Sequence, residues 1–432
     1  VGTVMVKDIN PGSASSAPNY LTNFNGTLYF SATDGTSGSE LWKSDGTAAG
    51  TVMVKDELPT AASPINLYVF GNNIFYTAFS GDNTTGYELW KSDGTAAGTM
   101  MVKNINPGSS SSQPTDFLAV GGTLYFTAGT NNEGRELWKT DGTDAGTVMV
   151  KDLDPGSGSS TPANFTSFNG KLYFKTSGNV NALWKSDGTN AGTIKVNDAV
   201  IGQGTFNDIM TGPNKIFFTY NGYKAGYPST ATGAEPWVSD GTDAGTVLLK
   251  DINTRNSTSN PYSFCKIGNI IYFKASDGIT GNELWKTDGT EADTVLVKDI
   301  RLGTGNSDPV YLTNLNGILY FSASDGISGL ELWKSDGTTA GTVLVKDIYA
   351  GATASSINSL TVFNNALYFS ALSSGVGREL WKSDGTEAGT VIVKDIVTGA
   401  LNSNPNKLTV SNGILFFTAQ NGSNTDEELW KT

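Results

Sequence analysis

The chain alternates short apolar runs with small polar turns, and the unit at 18–56 shows the plan. Its apolar runs at 21–24, 28–32 and 52–54 are long enough only for β-strands. Asn25-Gly26 separates the first two runs and predicts a tight hairpin, since both central positions of a type I′ turn need φ > 0. Glu40-Leu41-Trp42-Lys43 forms a third strand, followed by a turn that begins at Asp45. Four short strands joined by tight turns predict an antiparallel meander, and no capped segment has helical periodicity.

This unit recurs along all 432 residues, and tryptophan marks each copy. The period is about 48 residues, which indicates one supersecondary unit stacked repeatedly. A four-stranded meander repeated nine times predicts an all-β protein, a single nine-bladed β-propeller. We expect the tryptophans to form the repeat core between blades. They are Trp42, Trp90, Trp138, Trp184, Trp237, Trp285, Trp333, Trp381 and Trp430.

The ends of the chain predict how the ring closes. The segment Val1-Gly2-Thr3-Val4-Met5-Val6-Lys7-Asp8 reads as a fourth strand without its blade, and Glu428-Leu429-Trp430-Lys431-Thr432 as a third strand with no fourth strand after it. We therefore expect the N-terminal strand to pair with the C-terminal blade, in one domain spanning 1-432. The expected blades are approximately 18-56, 64-104, 114-152, 162-198, 206-251, 261-299, 309-347, 357-395, and 405-432 completed by 1-8.

Composition removes several classes of function. The formal charge of −13, from 41 acidic and 28 basic residues, argues against nucleic acid or an anionic membrane as partner. No apolar stretch approaches the length of a spanning helix, so membrane insertion is not expected. The chain has no histidine, which excludes histidine-based triads and histidine-ligated zinc. Cys265 is the single cysteine and is typical of a small core residue.

The repeated acidic residues are predicted to be structural. The glutamate of Glu-Leu-Trp occurs in eight of the nine copies. It suits an acceptor of backbone N–H groups or a partner of lysine, with a cation-binding ring as the alternative. The aspartate of each Asp-Gly-Thr segment is typical of a turn in which the carboxylate accepts a hydrogen bond from the backbone two residues on. No cofactor is expected; calcium is the alternative, because 8–10 and 152–154 place oxygen ligands at alternate positions, without the later acid of an EF-hand.

Glu40-Leu41-Trp42 followed by Asp45-Gly46-Thr47 resembles the ELWxxDGT-repeat proteins of bacteria, and the likeness covers essentially the whole chain. Departures occur at 181–184, which lacks the glutamate, and at 235–238, which reads Glu-Pro-Trp-Val. The resemblance implies a large secreted or surface-attached bacterial protein, and it implies no catalytic residue. Since the chain begins at Val1 rather than at methionine, we expect a processed form or a piece of a larger chain or assembly.

Two sets of loops vary between copies while the hairpin turns stay nearly constant. The variable sets are the blade-to-blade crossovers and the loops between second and third strands, which a meander places on one face of the ring. Loops on a rigid scaffold often carry binding. The largest departure is the fifth copy at 220–233, where Tyr220, Tyr223, Lys224 and Tyr227 are the predicted ligand-binding residues. The alternative for this loop is an ordered insertion packed on the rim.

These observations favour a non-catalytic extracellular or cell-surface scaffold that binds a glycan or surface protein through the variable loop face. One alternative is a structural component of a bacterial surface filament or an adhesin. Another is a polysaccharide hydrolase or lyase that uses carboxylates, which needs two acids in different environments. The non-repeated acids Asp208, Glu133 and Asp426 form no visible constellation in the sequence.

Overall fold

The computed structural model describes residues 2–56, 62–80, 84–196, 200–224, 233–254, 257–422 and 426–432. Within these residues the strands form nine four-stranded antiparallel sheets, each a meander of consecutive strands. The predicted nine-bladed β-propeller is confirmed. Helical structure among the described residues is limited to one 3₁₀ turn at Gly178–Val180, and no described helix could cross a membrane.

The blades are named here in chain order. Blades one to three comprise β2 (Asn19–Phe24), β3 (Thr27–Thr33), β4 (Ser39–Ser44) and β5 (Val52–Lys55); β6 (Ile65–Phe70), β7 (Asn73–Phe79), β8 (Tyr87–Ser92) and β9 (Met100–Lys103); and β10 (Thr115–Val120), β11 (Thr123–Thr130), β12 (Gly134–Thr140) and β13 (Val148–Lys151). Blades four to six comprise β14 (Ala163–Phe168), β15 (Lys171–Lys175), β16 (Leu183–Ser186) and β17 (Ile194–Lys195); β18 (Val200–Thr211), β19 (Ile216–Lys224), β20 (Ala234–Ser239) and β21 (Val247–Leu248); and β22 (Tyr262–Ile267), β23 (Ile270–Ser276), β24 (Asn282–Thr287) and β25 (Val295–Lys298). Blades seven to nine comprise β26 (Val310–Leu315), β27 (Ile318–Ala323), β28 (Glu331–Ser335) and β29 (Val343–Lys346); β30 (Asn358–Phe363), β31 (Ala366–Ser373), β32 (Gly377–Ser383) and β33 (Val391–Lys394); and β34 (Asn406–Ser411), β35 (Ile414–Gln420), β36 (Glu427–Lys431) and β1 (Val4–Lys7).

The ring closes as the chain ends predict. The strand β1 pairs antiparallel with β36, with Val4 opposite Lys431 and Met5 opposite Trp430. Lys431 Nζ then donates to the carbonyl of Gly46 in blade one. The same lysine position ties neighbouring blades elsewhere, as when Lys43 Nζ donates to Gly94 O at 2.9 Å. These lysines therefore join blades, beyond covering a solvated edge.

The core lies between blades. One cluster joins Phe24 and Tyr29 of blade one to Ile74, Tyr76 and Trp90 of blade two. The nine tryptophans are all buried, with exposures between 3% and 8%. Each second strand of a blade is covered on both faces, as in β3, where five successive residues are buried. A strand with two apolar faces is what stacking of blades requires.

The repeated glutamate holds the crossover that follows its blade, which accounts for its recurrence in eight of the nine blades. In blade nine, Glu428 accepts the N–H of Ile9 at 3.1 Å and the N–H of Ser16 at 2.9 Å. The Ser16 hydroxyl donates to the same carboxylate at 2.7 Å. Burial raises the pKa of Glu428, against these hydrogen bonds. The buried position supports the structural interpretation of this residue over a cation-binding ring.

Candidate functional site on the inner strands of blades five to seven

The first strand of each blade lies innermost, because neighbouring sheets contact one another through these strands all around the ring, from β2 against β6 to β34 against β2. Each inner strand carries a bulge; in β2 the register shifts between Asn19 and Thr22, and in β18 between Asn207 and Met210. The residue at the bulge has a left-handed backbone in all nine blades. These bulge residues are Tyr20, Asn66, Asp116, Asn164, Asp208, Ser263, Tyr311, Ser359 and Lys407, with φ between 45° and 61°.

None of the nine bulge residues is glycine, although left-handed backbone favours glycine strongly. Asparagine and aspartate tolerate the conformation, whereas a bulky residue such as Tyr20 or Tyr311 is a genuine outlier. Such strain costs of order 1–3 kcal/mol per residue and is concentrated at functional sites in proteins. The bulge also differs in side chain from blade to blade, while the turns repeat. The inner ring is therefore a second variable surface, separate from the loop face.

Three adjoining clefts lie along the inner strands of blades five to seven. The apolar cleft, about 410 Å³, is lined by Tyr262, Phe264, Tyr311 and Leu312 among others. The middle cleft, about 340 Å³, runs from Asp208 to Phe264. The polar cleft, about 440 Å³, includes Asn207, Asp208, Asn260, Tyr262, Lys274 and Asn282. Since Tyr262 lines all three, we call them together the inner groove.

Lys274 is the clearest departure from the repeat in this region. It pairs with Tyr262 in the register between β22 and β23. Seven of the nine blades have Ser or Thr at this register position, and blade four has Lys175. A hydroxyl here caps the next crossover, as when Thr219 Oγ1 donates to Pro261 O at 2.7 Å. Lysine reaches further and places an ammonium group on the rim of the polar cleft.

The ammonium of Lys274 is held by charge and by an aromatic ring. Its Nζ lies 3.5 Å from Oδ1 of Asp308 and 5.5 Å from the ring centroid of Tyr262. Asn282 Nδ2 donates to the same oxygen of Asp308 at 3.1 Å. Both the ion pair and the cation–π contact fix the position of Lys274. The Tyr262 side chain nevertheless remains 53% exposed.

Asp208 lies between the middle and polar clefts. Burial raises the pKa of its carboxyl group, while the N–H of Ser263 and the charge of Lys175 oppose that shift. Its Oδ2 is buried and has no hydrogen-bond partner among the described residues. An unsatisfied buried oxygen costs about 1–3 kcal/mol. A carboxyl group perturbed by burial in a cleft is a candidate functional residue.

Of the four predicted ligand-binding residues in blade five, Tyr220 is the one whose side chain the structure describes. Tyr220 is 1% exposed and packs on Phe206 at 4.5 Å and on Trp237 at 5.5 Å between ring centroids. Burial raises its pKa to about 12. The prediction that Tyr220 binds a ligand is wrong, because the extended strand β19 turns its ring into the core. The side chains of Tyr223 and Lys224, and all of Tyr227, lie outside the described residues.

Aspartates in the crossover loops accept hydrogen bonds from backbone N–H groups of the same loop. Asp152 Oδ2 accepts the N–H of Gly156 at 3.3 Å, and Asp347 Oδ2 accepts that of Gly351 at 3.0 Å. Within the described residues no group of three or more acidic, cysteine or histidine side chains is placed to hold a metal ion. Neither Glu133 nor Asp426 lines the inner groove.

Sequence reasoning missed the inner groove. Asp208 stood out in the sequence as a non-repeated acid, but nothing linked it to Lys274 or Tyr262. The signal that would have found them is a comparison of the nine copies at the start of each first and second strand. There Lys274 replaces a hydroxyl residue, and the tyrosines Tyr262 and Tyr311 stand in consecutive blades.

No protein-family model matches the chain, and no curated protein matches it. Similar solved structures include a puromycin hydrolase, at 13% identity and a TM-score of 0.42, over 97% of this chain and 62% of that one. A prolyl endopeptidase matches at 12% identity and 0.43, over 78% of this chain and 50% of that one. Saccharomyces cerevisiae Sqt1 matches at 8% identity and 0.42, over 99% of both chains. The chain spans less than two thirds of the length of either peptidase.

The puromycin hydrolase and prolyl endopeptidase structures carry the names of hydrolytic enzymes, and the expectation of a non-catalytic scaffold for a glycan or surface protein is not retained. That expectation is corrected here, together with its filament, adhesin and polysaccharide-hydrolase alternatives. The peptidase names describe those proteins, and likenesses at these identities and TM-scores transfer no residue, substrate or mechanism to this chain.

Proposed function

We propose that the chain serves in peptide processing and that its inner groove holds a peptide as the substrate-binding part of a peptidase. The polar cleft carries this proposal. It brings the amides of Asn207, Asn260 and Asn282 together with the carboxyl of Asp208 and the ammonium of Lys274. Peptide hydrolysis is also the activity that the name of the prolyl endopeptidase structure describes.

The chemistry of the polar cleft suits a peptide backbone. Every peptide unit offers one donor and one acceptor, and an asparagine amide supplies both complements. Asp208 adds a carboxyl group that lines both the middle and the polar cleft. Lys274 adds donors whose position is fixed by Asp308. Pre-positioned polar groups of this kind set orientation and specificity in a binding cleft.

The proposal assigns binding, and not bond cleavage, to the inner groove. The chain contains no histidine, so its own residues cannot form a serine–histidine–aspartate triad. The residues that cleave the bond are therefore not assigned to this groove.

Peptide binding can be tested with a carboxyl-to-amide change and a matched control. Asp208→Asn removes the charge and keeps a side chain that tolerates the left-handed backbone. Asp116→Asn makes the same change at the bulge of blade three, where the side chain is exposed. Calorimetric titration with a panel of unstructured hexapeptides is expected to show binding that weakens about ten-fold in Asp208→Asn, as loss of a hydrogen bond to a charged group implies, and stays unchanged in Asp116→Asn. No binding of any peptide, or equal losses in both variants, would overturn the proposal.

A further inference from the structure

The apolar cleft is unusual in where it exposes aromatic surface. Among the described residues, the aromatic side chains that are largely exposed are Tyr262 at 53% and Tyr311 at 48%. They belong to adjacent blades, and both line the apolar cleft. Its remaining lining includes Phe264 and Leu312, which are partly buried. Within the described part of the chain, this is the cleft where two exposed phenol side chains meet partly buried apolar residues.

The two tyrosines are held in place by different means. Lys274 stacks its ammonium on the ring of Tyr262. Tyr311 keeps a left-handed backbone at φ 57°, which a bulky side chain adopts only when its surroundings impose it. Asn66 and Asn164 occupy the same bulge position in other blades without that conflict. Tyr20 has the same conformation at the bulge of blade one, so what sets Tyr311 apart is its exposed ring beside Tyr262 in the apolar cleft.

We propose that the apolar cleft is a subsite that selects an aromatic side chain of the bound peptide, with Tyr262 and Tyr311 as the specificity-determining residues. This inference rests on the proposed function, because the apolar cleft continues into the polar cleft through Tyr262. A ligand that fills both must join a flat apolar group to a hydrogen-bonding chain, as a peptide with an aromatic residue does. Its volume of about 410 Å³ lies within the range of small-molecule sites, about 300–1,000 Å³.

Stacked and edge-to-face ring pairs supply the selectivity. Aromatic rings prefer centroid separations of roughly 4.5–7 Å, and such pairs contribute binding free energy beyond that from the burial of apolar area. With a tyrosine on either side, an aromatic side chain gains two such pairs, whereas an aliphatic side chain gains none. We expect a phenylalanine-containing peptide to bind roughly ten-fold more tightly than the same peptide with leucine.

The test uses Tyr311→Asn, which removes the ring and suits the left-handed backbone. Tyr20→Asn is the matched control, because it makes the same change at the bulge of blade one, away from the inner groove. Tyr262→Phe keeps a ring and is expected to keep the preference. Two peptides that differ only in phenylalanine against leucine are titrated into each protein.

Loss of the roughly ten-fold preference in Tyr311→Asn, with binding of the leucine peptide retained and Tyr20→Asn unaffected, is the expected result. Equal affinities for the two peptides in the unaltered protein would overturn the inference and leave the proposed function standing. A preference that persists in Tyr311→Asn, or that Tyr20→Asn also loses, would overturn it as well. Failure of both peptides to bind the unaltered protein would overturn the proposed function itself.

Discussion

The repeated glutamate offers the sharpest test of how the ring is held, and Glu428 is the copy that bridges the two ends of the chain. Glu428→Ala removes the acceptor of two backbone N–H groups, from Ile9 and Ser16, and of the Ser16 hydroxyl. The side chain is 0% exposed, so water cannot replace it without rearrangement. Each buried N–H left without an acceptor costs about 1–3 kcal/mol, and the space left behind adds to that cost. We expect the free energy of unfolding to fall by about 3–6 kcal/mol.

The loss can be followed in urea by tryptophan fluorescence, since every blade carries one tryptophan. Glu427→Ala is the matched control: this neighbouring side chain is 30% exposed and pairs with Lys407 at 3.7 Å. A partly exposed ion pair contributes about 0–1 kcal/mol, so the control is expected to lose little. A loss of unfolding free energy below about 1 kcal/mol in Glu428→Ala, or equal losses in the two variants, would refute the role of Glu428 in holding the crossover.

Three further outcomes follow from the same structure. Burial raises the pKa of Glu331 to about 7; a raised folded-state pKa gives stability that is present at low pH and lost as pH rises through that value. The urea midpoint is therefore expected to be higher at pH 5 than at pH 8, with a smaller difference in Glu331→Gln; a larger difference there would contradict this. Deletion of β1 exposes the edge of β36 and is expected to cause association, measured by light scattering; a monomeric product would count against the role of β1 in closing the ring. Gly94→Ala would place a Cβ 2.1 Å from the Tyr29 hydroxyl, whereas the Cβ of Gly108→Ala would meet nothing within 4 Å. Both variants carry left-handed backbone strain, so only Gly94→Ala is expected to lose an additional ~1–3 kcal/mol of unfolding free energy, measured by urea titration. Equal losses in the two variants would contradict the packing argument.

The architecture was predictable because the sequence repeats the same structural unit nine times. The period near 48 residues, the Asn-Gly hairpins and the two-sided apolar second strands each point to the same blade. The unpaired strand sequences at the two ends predicted the pairing of β1 with β36, which the register of Val4 opposite Lys431 confirms. Repetition makes such inferences robust, because a feature shared by all copies must serve the shared structure.

The inner groove was not predictable for the converse reason. Its residues are departures from the repeat, and their meeting depends on the bulge that turns each inner strand. A period-two pattern cannot reveal a bulge, which shifts every later side chain to the other face. The assignment of Tyr220 failed for a different reason: β19 extends through Tyr220, whose ring packs on Trp237. Burial of the Tyr220 ring could not be read from three tyrosines in eight residues.

Photo-cross-linking can show directly whether a peptide lies against the inner strands. A hexapeptide with a benzophenone side chain is irradiated with the protein, and the attached residues are located by mass spectrometry. We predict cross-links in β18, β22 and β26, at Met210, Phe264 and Leu312 and their neighbours, which competing unlabelled peptide removes. Cross-links confined to the crossover loops or to the outer strands, or none that peptide competes away, would contradict the proposed peptide binding.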